Sequence, residues 1–155
     1  MKIAIIDYQP AYQPYFEKFN KDWIGEYFKL EPVDQYVLEN PRQAILDRGG
    51  IILFARADGE IIGTVALKPT GPGEYELTKM AVDKRFRGAG AGKALCQAAI
   101  DRANRIGARK LVLYSNTSLS AAIAIYRKLG FAEVPLEAGT YERADIKMEL
   151  SLDRA

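Results

Sequence analysis

The sequence predicts an α/β fold of the α+β kind, a mixed and mostly antiparallel sheet with helices packed on it. Three observations predict it. The runs 51–57 and 60–67 are rich in β-formers and are joined by Asp58-Gly59, a strong two-residue hairpin signal. A third run, 74–82, alternates enough to extend the same meander. The segment 110–115 reads as a continuously apolar strand of the kind buried on both faces. An Ala-rich helical stretch joins it to the preceding strand, so those two are expected to be parallel neighbours with a right-handed crossover.

The remaining elements follow in chain order. Residues 2–7 read as a short first strand that ends before Pro10. From there to Leu30 the aromatics Tyr12, Phe16, Phe19, Trp23 and Tyr27 recur every three or four residues, which lays them along one helical face. Pro32 interrupts that pattern, 33–38 resumes as a short helix, and Asn40-Pro41 reads as an N-cap with proline at the first helical position. Gly49-Gly50 closes the helical third, and 69–73 makes a loop inside the meander. Residues 83–92 are basic and glycine-rich, and 91–107 follows as a helix with Leu95, Ala98, Ala99 and Ile106 toward the sheet. Leu119, Ala122, Ile123, Tyr126 and Leu129 mark a further helix capped by Gly130, and 131–134 and 141–150 supply closing strands. No repeat or linker interrupts this order, so 1–155 is expected to be a single domain.

Composition narrows the chemistry. With 22 Lys and Arg against 20 Asp and Glu, the charge is too balanced to point to nucleic acid or an anionic membrane as partner. No apolar run is long enough to span a bilayer, and the opening residues meet Asp7 too early for a secretory signal. The absence of histidine and the single cysteine, Cys96, exclude a Ser-His-Asp triad, a Cys-His pair, an ordinary Cys/His zinc site and any internal disulfide. A cytoplasmic location fits that cysteine usage. No metal is expected, and catalysis must rest on carboxylates, tyrosine, lysine, backbone amides or a borrowed cofactor.

The basic turn Arg85-Phe86-Arg87-Gly88-Ala89-Gly90-Ala91-Gly92-Lys93 lies between a strand and a helix, where bare amides and the positive helix end attract an anion such as phosphate. A Walker A loop would need glycine at 87 and Ser or Thr at 94, where Arg87 and Ala94 stand. A dinucleotide fingerprint would need glycine at 93 or 95, where Lys93 and Leu95 stand. A flexible loop with helix-start glycines is the plain alternative.

Taken together, Glu76-Leu77-Thr78-Lys79-Met80-Ala81-Val82, Arg87-x-x-Gly90-x-Gly92, Asn116 and Ala124-Ile125-Tyr126-Arg127-Lys128-Leu129-Gly130-Phe131 resemble the GNAT superfamily of acyl-CoA-dependent N-acyltransferases. The resemblance covers essentially residues 50–150. It implies a central sheet of about six to seven strands with helices on both faces and a parallel pair splayed at the cofactor site. It also implies acetyl-CoA as co-substrate, with the diphosphate on the amides of Arg87, Gly88, Ala89, Gly90, Ala91, Gly92 and Lys93. The pantetheine arm would pair with the backbone of Met80, Ala81 and Val82. Lys84 and Arg85 are assigned to solvated surface.

Asn116 resembles the polar contact to the cofactor arm, and a turn or helix cap is the equal alternative. Tyr126 resembles the tyrosine near the cofactor sulfur, against the alternative of an ordinary core ring. Glu76 occupies a strand position where several members carry the general base, against a solvent-facing glutamate or a partner of Lys79. By position, the Met80 N–H is the expected oxyanion donor. Cys96 is assigned to packing, so direct transfer is expected rather than an acetyl-enzyme.

The first 45 residues should form the acceptor side. Trp23, Tyr27 and Phe28 offer aromatic walls there, while Glu26, Glu31 and Asp34 offer charges that draw an amine, with core stripe and solvated charge as the alternative. Tyr141 and Arg143 on the closing strand also reach toward the acceptor. The implied activity is transfer of acetyl from acetyl-CoA to the primary amine of a small molecule or peptide, by a monomer or homodimer. Two other readings stay open: a non-catalytic acyl-CoA-binding sensor or scaffold, and a generic nucleotide-phosphate module.

Overall fold

The predicted meander is the middle of a seven-stranded sheet. In the computed structural model, which describes residues 2–139 and 141–152, β1 (Ile3–Asp7), β2 (Ile51–Ala57), β3 (Glu60–Gly71) and β4 (Glu74–Val82) pair antiparallel in sequence. Asp58 and Gly59 both have positive φ, 51° and 78°, as a tight hairpin turn of this type requires. β3 runs past the expected end at Leu67 into the segment assigned to a loop. Pro69 is tolerated there because the register to β4 shifts between Pro69 and Gly71, so its missing N–H breaks no regular ladder.

β5 (Lys110–Ser115) joins β4 in parallel, and β7 (Ile146–Ser151) with β6 (Ala132–Val134) completes the order β1-β2-β3-β4-β5-β7-β6. The closing strand therefore starts five residues later than the expected 141. Tyr141 and Arg143 lie in the loop before it, drawn out of the sheet by partners on other elements.

Helices cover both faces because adjacent residues of each strand point to opposite sides. Phe16 and Phe19 of α1 (Gln13–Tyr27) and Leu38 of α2 (Pro32–Glu39) pack with Ile52 and Phe54. Leu95, Cys96 and Ala99 of α4 (Ala91–Arg105) and Tyr126 of α5 (Ser120–Lys128) pack with Leu53, Ala55, Leu111 and Leu113 on the other face. The short α3 (Pro41–Ala44) links the first helices to β2. Asn40 stands at the N-cap of α3 with Pro41 opening the helix, as expected, while its side-chain amide donates back to the Tyr36 carbonyl at 3.0 Å, closing α2. One local expectation needs correction. Ile106 is 42% exposed because α4 ends at Arg105 and the chain turns away through Gly107 at φ 82°.

One irregularity positions everything that follows. Thr64 faces Ala81 while Ala66 faces Thr78, so β4 carries an extra residue opposite Val65. Lys79 sits in that bulge with φ 55°, rare for a residue with a side chain. β4 leaves β5 before the bulge: their pairing is confined to Glu74–Glu76 against Lys110–Val112. The splayed parallel pair is thus present.

Candidate active site

The splay opens a cleft of about 620 Å³, within the usual range for small-molecule sites. Its walls are β4 from Glu76 to Val82, the start of α4, the residues after β5, one face of α5, and the end of α1.

At one end stands the glycine turn. Gly88 and Gly90 have φ of 86° and 91°, and nothing lies within 4 Å of where a Cβ would stand on either. Gly90 occupies the N-cap of α4 without any capping side chain, and the first bond into the helix is Ala94 N–H to the Gly90 carbonyl at 3.1 Å. The amides of Ala91, Gly92 and Lys93 consequently have no acceptor within the helix. Open space above unpaired donors at the positive helix end is an anion cradle. Arg87, Gly88, Gly90, Ala91, Gly92 and Lys93 line the cleft, whereas Ala89 does not, its N–H being turned to the Phe86 carbonyl at 3.4 Å. Arg87 also donates to Glu26 on α1 at 2.7 Å, so Glu26 faces the turn rather than an acceptor. Lys84 and Arg85 are solvent-facing as expected.

Midway, Met80, Ala81 and Val82 present the edge that β4 no longer shares with β5. The Met80 thioether accepts the Cys96 S–H at 3.2 Å, and Cys96 is fully buried, its thiol pushed up to about 12 by burial. That holds it protonated, in keeping with a packing role. Tyr126 is buried edge-on to Phe131 with ring centroids 5.9 Å apart, and it lines the cleft. No described side chain engages its hydroxyl. Burial pushes that phenol well above its ordinary value, so it keeps its proton and acts as a donor. Asn116 lines the cleft, but its amide donates to the Arg143 carbonyl at 2.8 Å and its oxygen accepts the Ser118 N–H at 2.9 Å, the geometry of a turn brace.

Glu76 lies at the far end, 5% exposed, and is neither solvent-facing nor bonded to Lys79. Its partner is the Tyr141 hydroxyl, which donates at 2.9 Å; burial first, then the Glu76 charge, raises that phenol. Arg143 and Lys79 flank the Tyr141 ring at 4.8 and 5.1 Å from its centroid. Lys79 Nζ donates to Asp34 Oδ1 at 2.8 Å, and the Arg143 guanidinium grips the same carboxylate at 2.6 and 2.9 Å. Asp34 has no exposed surface. Burial pushes its carboxyl up, but Arg143 and Lys79 prevail and hold it below the ordinary value.

Sequence reasoning missed this cluster. The Pro32 helix start is legible, and Asp34 sits where a reciprocal cap with Glu31 forms, but nothing local ties it to Lys79 or Arg143. Of the expected acceptor residues, Trp23, Tyr27, Phe28, Tyr141 and Arg143 line the cleft. Glu31 stands behind it, accepting from Arg143 at 2.9 Å and from the Glu142 N–H at 3.2 Å.

Comparison with known proteins agrees with this architecture. The sequence profile of the Acetyltransferase (GNAT) family matches residues 11–131. Mycothiol acetyltransferase of Saccharomonospora viridis is 32% identical over 121 residues, which cover 73% of this chain and 39% of that protein. The chain therefore spans about two fifths of the length of that relative. The uncharacterized N-acetyltransferase YvbK of Bacillus subtilis is 30% identical over 111 residues, 70% of this chain and 72% of that one. Among solved structures, a GNAT-family acetyltransferase from Staphylococcus aureus superimposes with a TM-score of 0.86 at 24% identity, over 98% of this chain and 100% of that one. The PaiA N-acetyltransferase of Thermoplasma acidophilum, solved in complex with coenzyme A, gives 0.75 at 20% identity over 98% and 100%.

Proposed function

The chain belongs to the GNAT family of acetyltransferases, and from that premise we propose that it moves an acetyl group from acetyl-CoA directly to a primary amine. The observation that carries this reading is the convergence on one cleft of an unpaired helix-start amide cradle, a free strand edge at Met80–Val82, a buried carboxylate and a tyrosine hydroxyl with no partner among the described residues. Acetyl-CoA supplies the activated acyl group as a thioester with a good leaving sulfur.

The protein's own groups divide the remaining tasks. The amides of Gly88 and of Gly90 to Lys93, with the Arg87 and Lys93 side chains, hold the diphosphate. The main chain of Met80, Ala81 and Val82 pairs with the pantetheine arm as a further strand would. Met80 falls in the register shift beside Lys79, outside the regular ladder, and its N–H is the donor assigned to the developing oxyanion. Tyr126 donates a hydrogen bond to the leaving sulfur; complete proton transfer from so weak an acid to a thiolate whose parent pKa is about 8.5 is uphill. Glu76, oriented by Tyr141, accepts the proton of the incoming amine, directly or through water, since an alkylammonium of pKa about 10.4 must be deprotonated to attack. Asn116 braces the turn after β5 and shapes the cofactor wall.

The test is release of free coenzyme A thiol from acetyl-CoA across an amine panel. Amine-dependent release that Glu76→Gln slows supports the reading. Tight coenzyme A binding with no release by any amine makes the chain a binding module instead.

A further inference from the structure

The acceptor end of the cleft holds cations whose charge is already paired within the protein. Lys79 and Arg143 both reach the wall, yet both are turned back onto Asp34, and Glu31 takes a further Arg143 N–H. Because Asp34 has no exposed surface, water and salt do little to loosen these contacts. Among the described residues Glu76 takes its hydrogen bond from the Tyr141 hydroxyl, and its charge also acts on Lys79. The carboxylates of Glu31, Asp34 and Glu76 thus outnumber the cations Lys79 and Arg143, and a neutral Lys79 would only enlarge the negative excess. A ligand carboxylate entering here would meet like charge and two cations already paired with Asp34, whereas an ammonium group would relieve the imbalance.

Building on the acetyl-transfer reading, we infer that Asp34 is a positioning residue that sets acceptor specificity: by engaging Lys79 and Arg143 it selects a cationic primary amine with no carboxylate beside its nitrogen. Asp34 touches no substrate itself and acts through the two cations.

Matched pairs that differ only by the carboxylate test this: phenethylamine against phenylalanine, and cadaverine against lysine, each assayed by thiol release for kcat and KM. In every pair that is turned over, the carboxylate-free member is expected to have a kcat/KM at least about tenfold higher. Asp34→Asn should narrow that ratio several-fold by lowering KM for the amino acid, because Arg143 is left with charge to offer. A merely structural loss would reduce kcat for both members alike. Should Asp34→Asn fail to fold, Glu31→Gln is expected to narrow the ratio by a smaller factor. Equal or better use of the amino acids by the wild-type protein overturns the inference while leaving acetyl transfer intact. An unchanged ratio in both variants overturns the role of Asp34. No thiol release with any amine removes the transfer reading and this inference with it.

Discussion

Replacing Gly92 with alanine should make the protein more stable and its grip on coenzyme A weaker. Gly92 lies in the first turn of α4 with a backbone that needs no positive φ, and a Cβ there meets only Ile125 Cδ1 at 3.9 Å, an ordinary contact. Relieving the entropy cost of a helical glycine is worth about 0.5–1 kcal/mol. For a chain of this size that corresponds to a rise in Tm of about 1–4 °C. The same methyl group stands on the cleft wall beside the unpaired amides, where it holds an anion at a distance. Losing one charge-assisted hydrogen bond costs about 1.5–3 kcal/mol, so the coenzyme A Kd should rise about 10- to 150-fold. Gly25→Ala is the control: it lies in α1 with nothing within 4 Å and should raise Tm without altering affinity. The assay is calorimetric titration with coenzyme A alongside thermal melts. A stabilised Gly92→Ala that binds coenzyme A unchanged would refute the cradle, because misfolding could not then be blamed.

Two further outcomes follow from burial. Tyr126→Phe should lower kcat about 10- to 100-fold with little change in coenzyme A affinity, since the hydroxyl has no partner to lose among the described residues and the ring packing against Phe131 is kept; unaltered turnover would leave Tyr126 as packing alone. The Cys96 thiol, pushed up to about 12 by burial, should react with a thiol reagent at pH 8 only as fast as the protein opens. Because the folded state keeps this proton above the pH where the unfolded chain releases it, at about 8.5–9, the thiol's contribution to stability falls as pH rises from there toward 12. Rapid labelling of the native protein at pH 8 would contradict that.

Much of this molecule is written locally. The Asp58-Gly59 hairpin, the aromatic spacing of α1 and the glycines before α4 are short-range patterns whose physics is complete within a few residues, and each formed as expected. The strand extension through Pro69 and the late start of β7 were not legible, because each depends on how the segment meets other elements: a register shift against β4 for the first, buried carboxylates for the second.

The candidate site divides the same way. The end proposed for the cofactor is a turn and a helix start, determined by sequence through backbone conformation and the absence of side chains. Its acceptor end was decided only by tertiary structure. Asp34 meets Lys79 across 45 residues and Arg143 across 109, and Tyr141 reaches Glu76 across 65. Charges read as solvated or as amine-attracting in a linear sequence became a closed, water-shielded cluster, because Coulomb attraction acts on distance in space and only the folded chain sets that distance.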